Sequence, residues 1–207
     1  MTAIFDSPAQ TLGEHIERLT AIEAAADTVF VWAPLVIPGL LQAYAYAAAV
    51  LHGTVPSLPL DVVDERAAAR RERIDRLGRP GARSITVVVD EAALYRPVGG
   101  RTALADTLEH LLTVEALQPS LSVRVLPQGI DAHPGLAGPF TLYRAARQQA
   151  VLVEALTGST ISTRPEDVAA YASARDRLLG LALPAWESVE LIDGTREVLC
   201  RRLRMKR

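Results

Sequence analysis

Cysteine is almost absent from this sequence, which contains only Cys200. A single cysteine cannot form an internal disulfide, and such scarcity fits a chain that folds in a reducing compartment. The four histidines lie far apart in the chain, so the ligand spacing of a structural zinc site is missing. A phosphate-binding loop, a dinucleotide fingerprint and a nucleophile elbow are also missing. We therefore expect neither a bound metal nor a cofactor.

The first ten residues lack the basic start and the apolar run of a secretory signal. No charged residue occurs between Asp27 and Asp61. This stretch is long enough to be compared with a membrane span of about 20 residues. Pro34, Pro38 and Gly39 interrupt it, however, so we interpret it as a buried strand, a tight turn and a buried helix. We expect a cytoplasmic protein without membrane contact.

Aromatic residues are scarce at 5 %, yet hydrophobic residues make up 49 % of the 207 positions. That is enough for a sizeable core built mainly from Ala, Leu and Val. The hydrophobic periodicity predicts an α+β fold, a small mixed or antiparallel sheet of about five strands surrounded by helices. Strand patterns include 29–32, 85–89, 121–126, and a hairpin around Arg147, Gln148 and Gln149. Helical patterns occupy 9–26, 38–51, 61–79, 102–117, 165–183, 185–192 and 193–207.

Charge is unevenly spread along the chain. The residues from Arg196 onward include six Lys or Arg and one Glu, which gives a net charge of +5. The preceding residues have 16 basic and 23 acidic groups, a net charge of −7. A basic tail can contact nucleic acid or an acidic partner, although most such tails are solvated ends. We predict a single effector-binding-like domain over 9–192, followed by a basic helix or tail over 193–207.

The most informative stretch runs from Ile85 to Gly100. Its first five residues are apolar or β-branched without alternation, as expected of a strand buried on both faces. The strand ends at two carboxylates, Asp90 and Glu91, in the position where α/β folds usually place their sites. A structural alternative is that one carboxylate caps a short helical turn and pairs with Arg96.

A second loop, with His133, Pro134 and Gly135, follows the strand at 121–126. If the two strands are neighbours, their loops meet, and a histidine beside a carboxylate could act as acid or base near neutral pH. Alternatively, His133 braces a tight loop by bonding a backbone carbonyl. The candidate catalytic residues are Glu91 or Asp90 as base and His133 as acid. Candidate ligand-binding residues are Trp32, Tyr44, Arg96, Phe140, Tyr143 and Glu154.

Several motifs occur in an order that resembles one known family. They are Trp32-Ala33-Pro34 with Pro38-Gly39-Leu40-Leu41-Gln42, Asp90-Glu91-Ala92-Ala93-Leu94 with Pro97-Val98-Gly99-Gly100, and His133-Pro134-Gly135 with Gly138-Pro139-Phe140. Together they resemble the C-terminal domain of actinobacterial helix-turn-helix, antitoxin-like transcriptional regulators. In that family the domain follows a DNA-binding module and is thought to sense a ligand or bind a partner.

Only about ten residues precede the first predicted helix, so the resemblance implies a free-standing domain without the DNA-binding module. We therefore expect a small-molecule ligand or a small protein partner, possible homodimer formation, and no direct sequence-specific DNA binding. The alternative is a cofactor-independent enzyme of specialised metabolism, an acid–base cyclase, isomerase or lyase built on the same pocket.

Overall fold

The computed structural model describes residues 12–77, 84–146, 148–156 and 158–205. Its helices are α1 (Leu12–Ala25), α2 (Tyr44–Thr54), α3 (Leu60–Leu77), α4 (Gly100–Leu117), α5 (Pro165–Leu181) and α6 (Ala185–Arg204). Its strands are β1 (Thr28–Ala33), β2 (Ser84–Asp90), β3 (Leu121–Leu126), β4 (Phe140–Ala145), β5 (Gln148–Ala155) and β6 (Gly158–Ser162). Short 3-10 turns occupy Gly39–Leu41, Glu91–Tyr95 and Pro134–Ala137.

The strands form one mixed sheet in the order β3-β2-β1-β4-β5-β6. The first three in that order are parallel to one another, and β4, β5 and β6 continue the sheet by antiparallel pairing. This confirms the predicted α+β fold, although the sheet has six strands rather than about five. The predicted hairpin is the β4–β5 connection, and residue 147 within it lies outside the described residues.

The core lies on both faces of this sheet, as the unbroken apolar run of β2 predicts. Along β1, Val29 and Val31 pack on the face covered by α4 and α6, whereas Phe30 and Trp32 point to the opposite face, covered by α5. A smaller cluster joins α2 to α3. Because successive side chains of a strand alternate between faces, β1 contributes to both layers of the core.

The outer edge of β3 is covered by the connection between α5 and α6. The backbone N–H of Leu183 donates to the carbonyl of Val125, and the backbone N–H of Val125 donates to the hydroxyl of Ser188. The Arg124 guanidinium donates to the carbonyls of Ala182 and Leu183, at 2.6 and 2.7 Å. The two bonds at Val125 satisfy backbone groups that a bare edge strand would present to other chains, and the Arg124 bonds hold the covering segment in place.

One long helix, α6, replaces the two helices that the sequence predicts on either side of residue 193. Gly194 lies inside this helix, where glycine costs about 1 kcal/mol relative to alanine. The Arg196 guanidinium contacts Asp193 at 2.6 Å and Glu109 of α4 at 2.8 Å, and Ile192 is fully buried. Packing against α4 therefore outweighs the local preference for a break, and the predicted domain boundary at 192 falls within a continuous helix.

The long uncharged stretch after Asp27 forms β1, the turn at Gly39–Leu41 and α2, as the sequence predicts. Within the described ranges, none of the helices has both the length and the apolar character that crossing a bilayer requires.

Candidate functional site

The carboxyl ends of β1, β2 and β3 lie together along one border of the sheet, where the strands end, and β4 begins at the same border. This border is called the carboxyl edge, as distinct from the outer side of the edge strand β3. Asp90 at the end of β2 pairs with Leu126 at the end of β3, and Trp32 of β1 pairs with Phe140 of β4. The loops that follow β2 and β3 therefore lie side by side, which is the arrangement that the sequence predicts.

Glu91 links these two loops. Its Oε2 accepts a hydrogen bond from the backbone N–H of Gln128 at 2.8 Å, and its Oε1 accepts one from the Tyr95 hydroxyl at 2.9 Å. Asp90 accepts the backbone N–H of Ala92 at 2.8 Å and so caps the turn at Glu91–Tyr95. This capping is the structural alternative that the sequence left open, but the Glu91 carboxylate bonds Tyr95 and Gln128 rather than Arg96.

The Tyr95 phenol stays protonated and can serve as the donor to Glu91. Its partial burial raises the pKa of the phenol, the nearby Thr195 hydroxyl lowers that pKa, and the Glu91 carboxylate raises it again. A phenol with a raised pKa is neutral at physiological pH. Tyr95 and Thr195 of α6 also line one groove, so the turn after β2 lies beside helix α6.

We expect the Glu91→Ala substitution to lower the free energy of unfolding by about 1–2 kcal/mol, because it removes two hydrogen bonds to a charged acceptor that is only half-buried. Urea unfolding measures this change. Tyr95→Phe removes one of the two bonds and should cost less, and the double variant should cost less than the sum of both. An unchanged midpoint in Glu91→Ala would contradict this structural role.

Trp32 of β1 packs against the second loop, the one that contains His133, Pro134 and Gly135. The indole N–H donates to the carbonyl of Gly135 at 2.9 Å, and Trp32 is 1 % exposed. A Cβ on Gly135 would lie 2.7 Å from the indole ring, so only glycine allows this close approach. The sequence offered His133 as the residue that braces this loop by bonding a backbone carbonyl. In the structure the Trp32 indole makes such a bond, to Gly135.

His133 contacts the same indole. Its ring stands edge-on to that of Trp32, with the centroids 5.9 Å apart and the planes at 89°. Its Nδ1 is buried and has no hydrogen-bond partner within the part of the chain that the structure describes. Phe140 lies on the same face of the sheet and packs against Phe30 and Tyr171. His133, Trp32 and Phe140 are thus brought together.

The remaining candidate residues lie elsewhere. Tyr143 points to the opposite face of the sheet, where its hydroxyl donates to the Glu23 carboxylate at 3.1 Å. Glu154 is exposed near the end of β5, where it pairs with Ser159 of β6. Tyr143 is separated from His133 because residues 140 and 143 are three apart in a strand and so face opposite sides.

Tyr44 and Arg96 also lie outside the His133 group. Tyr44 is 53 % exposed, and its hydroxyl donates to Asp64 of α3. The tyrosine that α2 buries is Tyr46, whose hydroxyl accepts the backbone N–H of Ile37. Burial raises the pKa of the Tyr46 phenol, while the Ile37 N–H and the exposed Arg96 guanidinium act in the opposite direction.

The segment 38–42 builds a polar anchor whose role sequence analysis did not predict. Gln42 is 3 % exposed; its amide donates to the carbonyl of Ile37 at 2.6 Å, and its oxygen accepts from the Arg70 guanidinium of α3. The Arg70 side chain passes over Gly39, 3.5 Å from where a Cβ would be. Two sequence signals could have revealed this anchor. One is a glutamine at the end of an apolar turn, and the other is an arginine among the apolar residues of α3.

A large cleft lies at the opposite edge of the sheet from Glu91 and His133. Its volume is about 760 Å³, within the range of small-molecule sites. One wall is polar and comes from the residue before β1 and from the β4–β5 hairpin: Asp27, Arg144, Gln148 and Gln149. The other wall is the first half of α5, which contributes Pro165, Val168, Ala169 and Ala172. Sequence analysis located the hairpin but not the cleft, because the apolar wall comes from a helix that follows another strand.

The cleft offers binding groups rather than a recognisable catalytic set. Arg144 is exposed, and its guanidinium donates to the Thr28 hydroxyl at 3.1 Å. Among the described lining residues there is one cation, one carboxylate and two side-chain amides, together with the hydroxyl of Thr163. Across the described ranges, no group of three or more His, Cys, Asp or Glu side chains is arranged to hold a metal ion.

Comparison with known proteins adds one finding. Residues 16–194 match the model of a domain of unknown function, DUF5753. No curated protein matches the chain. The matched stretch contains the sheet, the two loops at the carboxyl edge, the Gln42 anchor and the cleft. The chain therefore belongs to the DUF5753 family.

Proposed function

We propose that this chain is a binding domain that holds a small molecule in the cleft between the β4–β5 hairpin and α5. The proposal relates it to the sensor domains of helix-turn-helix regulators, which the motifs at 38–42 and 90–100 resemble. It does not include direct DNA recognition. A cytoplasmic location belongs to the same proposal.

The observation that carries this proposal is the contrast between the two ends of the sheet. At the carboxyl edge, Asp90 and Glu91 are engaged in capping and in joining loops, which are structural tasks. At the other edge, a cleft of about 760 Å³ combines an exposed guanidinium and two amides with an apolar helix wall. A few polar groups opposite an apolar wall are typical of ligand sites.

The lining suggests the class of ligand. Arg144 can bind a carboxylate through two parallel hydrogen bonds, and Gln148 and Gln149 can donate or accept beside it. Val168, Ala169 and Ala172 suit an aliphatic or aromatic body. We therefore propose a small organic acid with an apolar part.

The test is a thermal-shift screen with a panel of aliphatic and aromatic carboxylic acids. A ligand at 100 times its dissociation constant stabilises the fold by about 2.7 kcal/mol, which shifts the melting temperature by several degrees. Ala172→Trp should reduce the shift by covering part of the apolar wall, and Arg144→Ala should reduce it by removing the cation. The matched control is Ala170→Trp, on the same helix but outside the cleft lining, which should keep the shift. Equal shifts in Ala172→Trp and Ala170→Trp would overturn the proposal.

The enzyme alternative has one observation in its favour. The His133 ring stands edge-on to Trp32, and its Nδ1 has no hydrogen-bond partner in the described ranges, so no structural hydrogen bond occupies that nitrogen. The same panel separates the two functions. NMR and liquid chromatography of each compound after incubation should find it unchanged if the domain only binds, and converted if it catalyses a reaction, including an isomerisation or cyclisation that leaves the mass the same.

A further inference from the structure

Helix α6 carries an exposed ridge of residues four apart: Glu190, Gly194, Val198 and Arg202. Val198 is 47 % exposed, and Trp186 and Met205, near the two ends of the helix, are 64 % and 82 % exposed. A groove of about 430 Å³ runs beside this ridge, and Tyr95, Leu191, Thr195 and Leu199 contribute to its lining. Ridges of residues four apart are the elements that pack into grooves when two helices meet.

The order of residues along the ridge is self-complementary. Counting outward from residue 196, Gly194 is as far from the centre as Val198, and Glu190 is as far as Arg202. If two copies of α6 cross in opposite directions about this point, Glu190 faces the partner's Arg202 and Gly194 faces the partner's Val198. In a parallel crossing, Glu190 would face the partner's Glu190 and Arg202 the partner's Arg202.

We propose that α6 binds α6 of a second copy of this chain, antiparallel, about a two-fold axis between Gly194 and Val198. The two-fold repeats every contact, so one dimer contains two Glu190–Arg202 pairs. Apart from the adjacent residues and the backbone of its own helix, a Cβ on Gly194 would meet no atom of the described residues within 4 Å, so the space that the partner's Val198 would enter is open. This inference is independent of what the cleft binds.

A second copy fits this ridge better than an unrelated partner because the ridge has one acidic and one basic residue at equal distances from its centre. In an antiparallel dimer each of these residues lies opposite a residue of the other charge. Opposite charges select the antiparallel orientation, since the parallel one places like charges against each other. The small residue at the crossing lets the helix axes come close, and the apolar groove beside the ridge accommodates the side chains of the other copy.

Sedimentation velocity of the purified chain over a range of micromolar concentrations tests the proposal. The unmodified chain should dimerise, and E190R and R202E should each raise the dimer dissociation constant at least about tenfold, because each places two like-charge pairs in the interface. The double variant E190R/R202E exchanges the charges and should restore dimerisation. E65R, the same charge change at an exposed position on α3, is the control and should leave dimerisation unchanged.

These positions are exposed, so circular dichroism should find each variant as folded as the unmodified chain. A monomer at every concentration would overturn the proposal. So would a dimer that is insensitive to the single reversals, or one that the double variant fails to restore. A thermal shift with the carboxylic acids in a monomeric chain would retain the binding function and reject only the dimer.

Discussion

Replacing Trp32 by alanine is expected to lower the free energy of unfolding by about 3–5 kcal/mol, the range for large aromatic residues in a core. Trp32 is 1 % exposed, packs in the core between the sheet and α5, and holds the loop of His133 through the carbonyl of Gly135. The substitution removes the ring, the hydrogen bond and the surface on which Gly135 rests. Urea or thermal unfolding followed by circular dichroism measures the loss.

Two further variants separate these contributions. Trp32→Phe keeps an aromatic ring but loses the hydrogen bond, so we expect a smaller loss, about 1–3 kcal/mol. Gly135→Ala should cost about 1–3 kcal/mol, because its methyl group would overlap the indole. Leu136→Ala in the same loop, where the side chain is 73 % exposed, is the matched control and should change stability by less than about 0.5 kcal/mol. If Trp32→Ala were no more destabilising than Leu136→Ala, the loop would not rest on the indole.

Replacing Gln42 by leucine is expected to lower the free energy of unfolding by about 2–4 kcal/mol. Leucine has a similar volume, so the loss comes from polarity and not from a cavity. The substitution leaves the carbonyl of Ile37 without the Gln42 donor and the Arg70 guanidinium without the Gln42 acceptor. Removing one partner of a buried hydrogen bond costs the desolvation of the other, about 1–3 kcal/mol and more for a charged group.

A double-mutant cycle gives this prediction its control. Arg70→Met removes the charge that Gln42 bonds, so Gln42→Leu in the Arg70→Met background should cost less than in the unmodified chain. Fully additive losses in the cycle would mean that the two side chains are not coupled.

The sequence predicts the carboxyl edge of the sheet well because its signals are local. An apolar β-branched run becomes a buried strand, and the carboxylates that follow it must lie at that strand's end. The strand at 121–126 has the same direction, so the meeting of the two loops follows from their being neighbours. Which hydrogen bonds the carboxylates make could not be predicted, because capping and loop-joining bonds depend on exact side-chain positions that sequence spacing does not reveal. The catalytic roles proposed for Glu91 and His133 remain predictions.

Other features could not be predicted from local patterns. Tyr44 and Tyr46 are two residues apart on an alanine-rich helix, and only tertiary contact with Ile37 makes Tyr46 the buried one. The continuity of α6 depends on its contacts with α4. The cleft depends on how the start of α5 lies against a hairpin, which no single segment encodes. In each case a contact between distant segments decides a property that short-range preference leaves open.

The covering of β3 has a consequence for how the chain is made. The carbonyls that the Arg124 side chain bonds lie 58 and 59 residues further along the chain. During synthesis the ribosome therefore releases β3 well before the segment that protects it, and the nascent sheet exposes a bare border for that interval. An unpaired strand border is where another chain can add by backbone pairing, and the docking of residues 182–188 closes it.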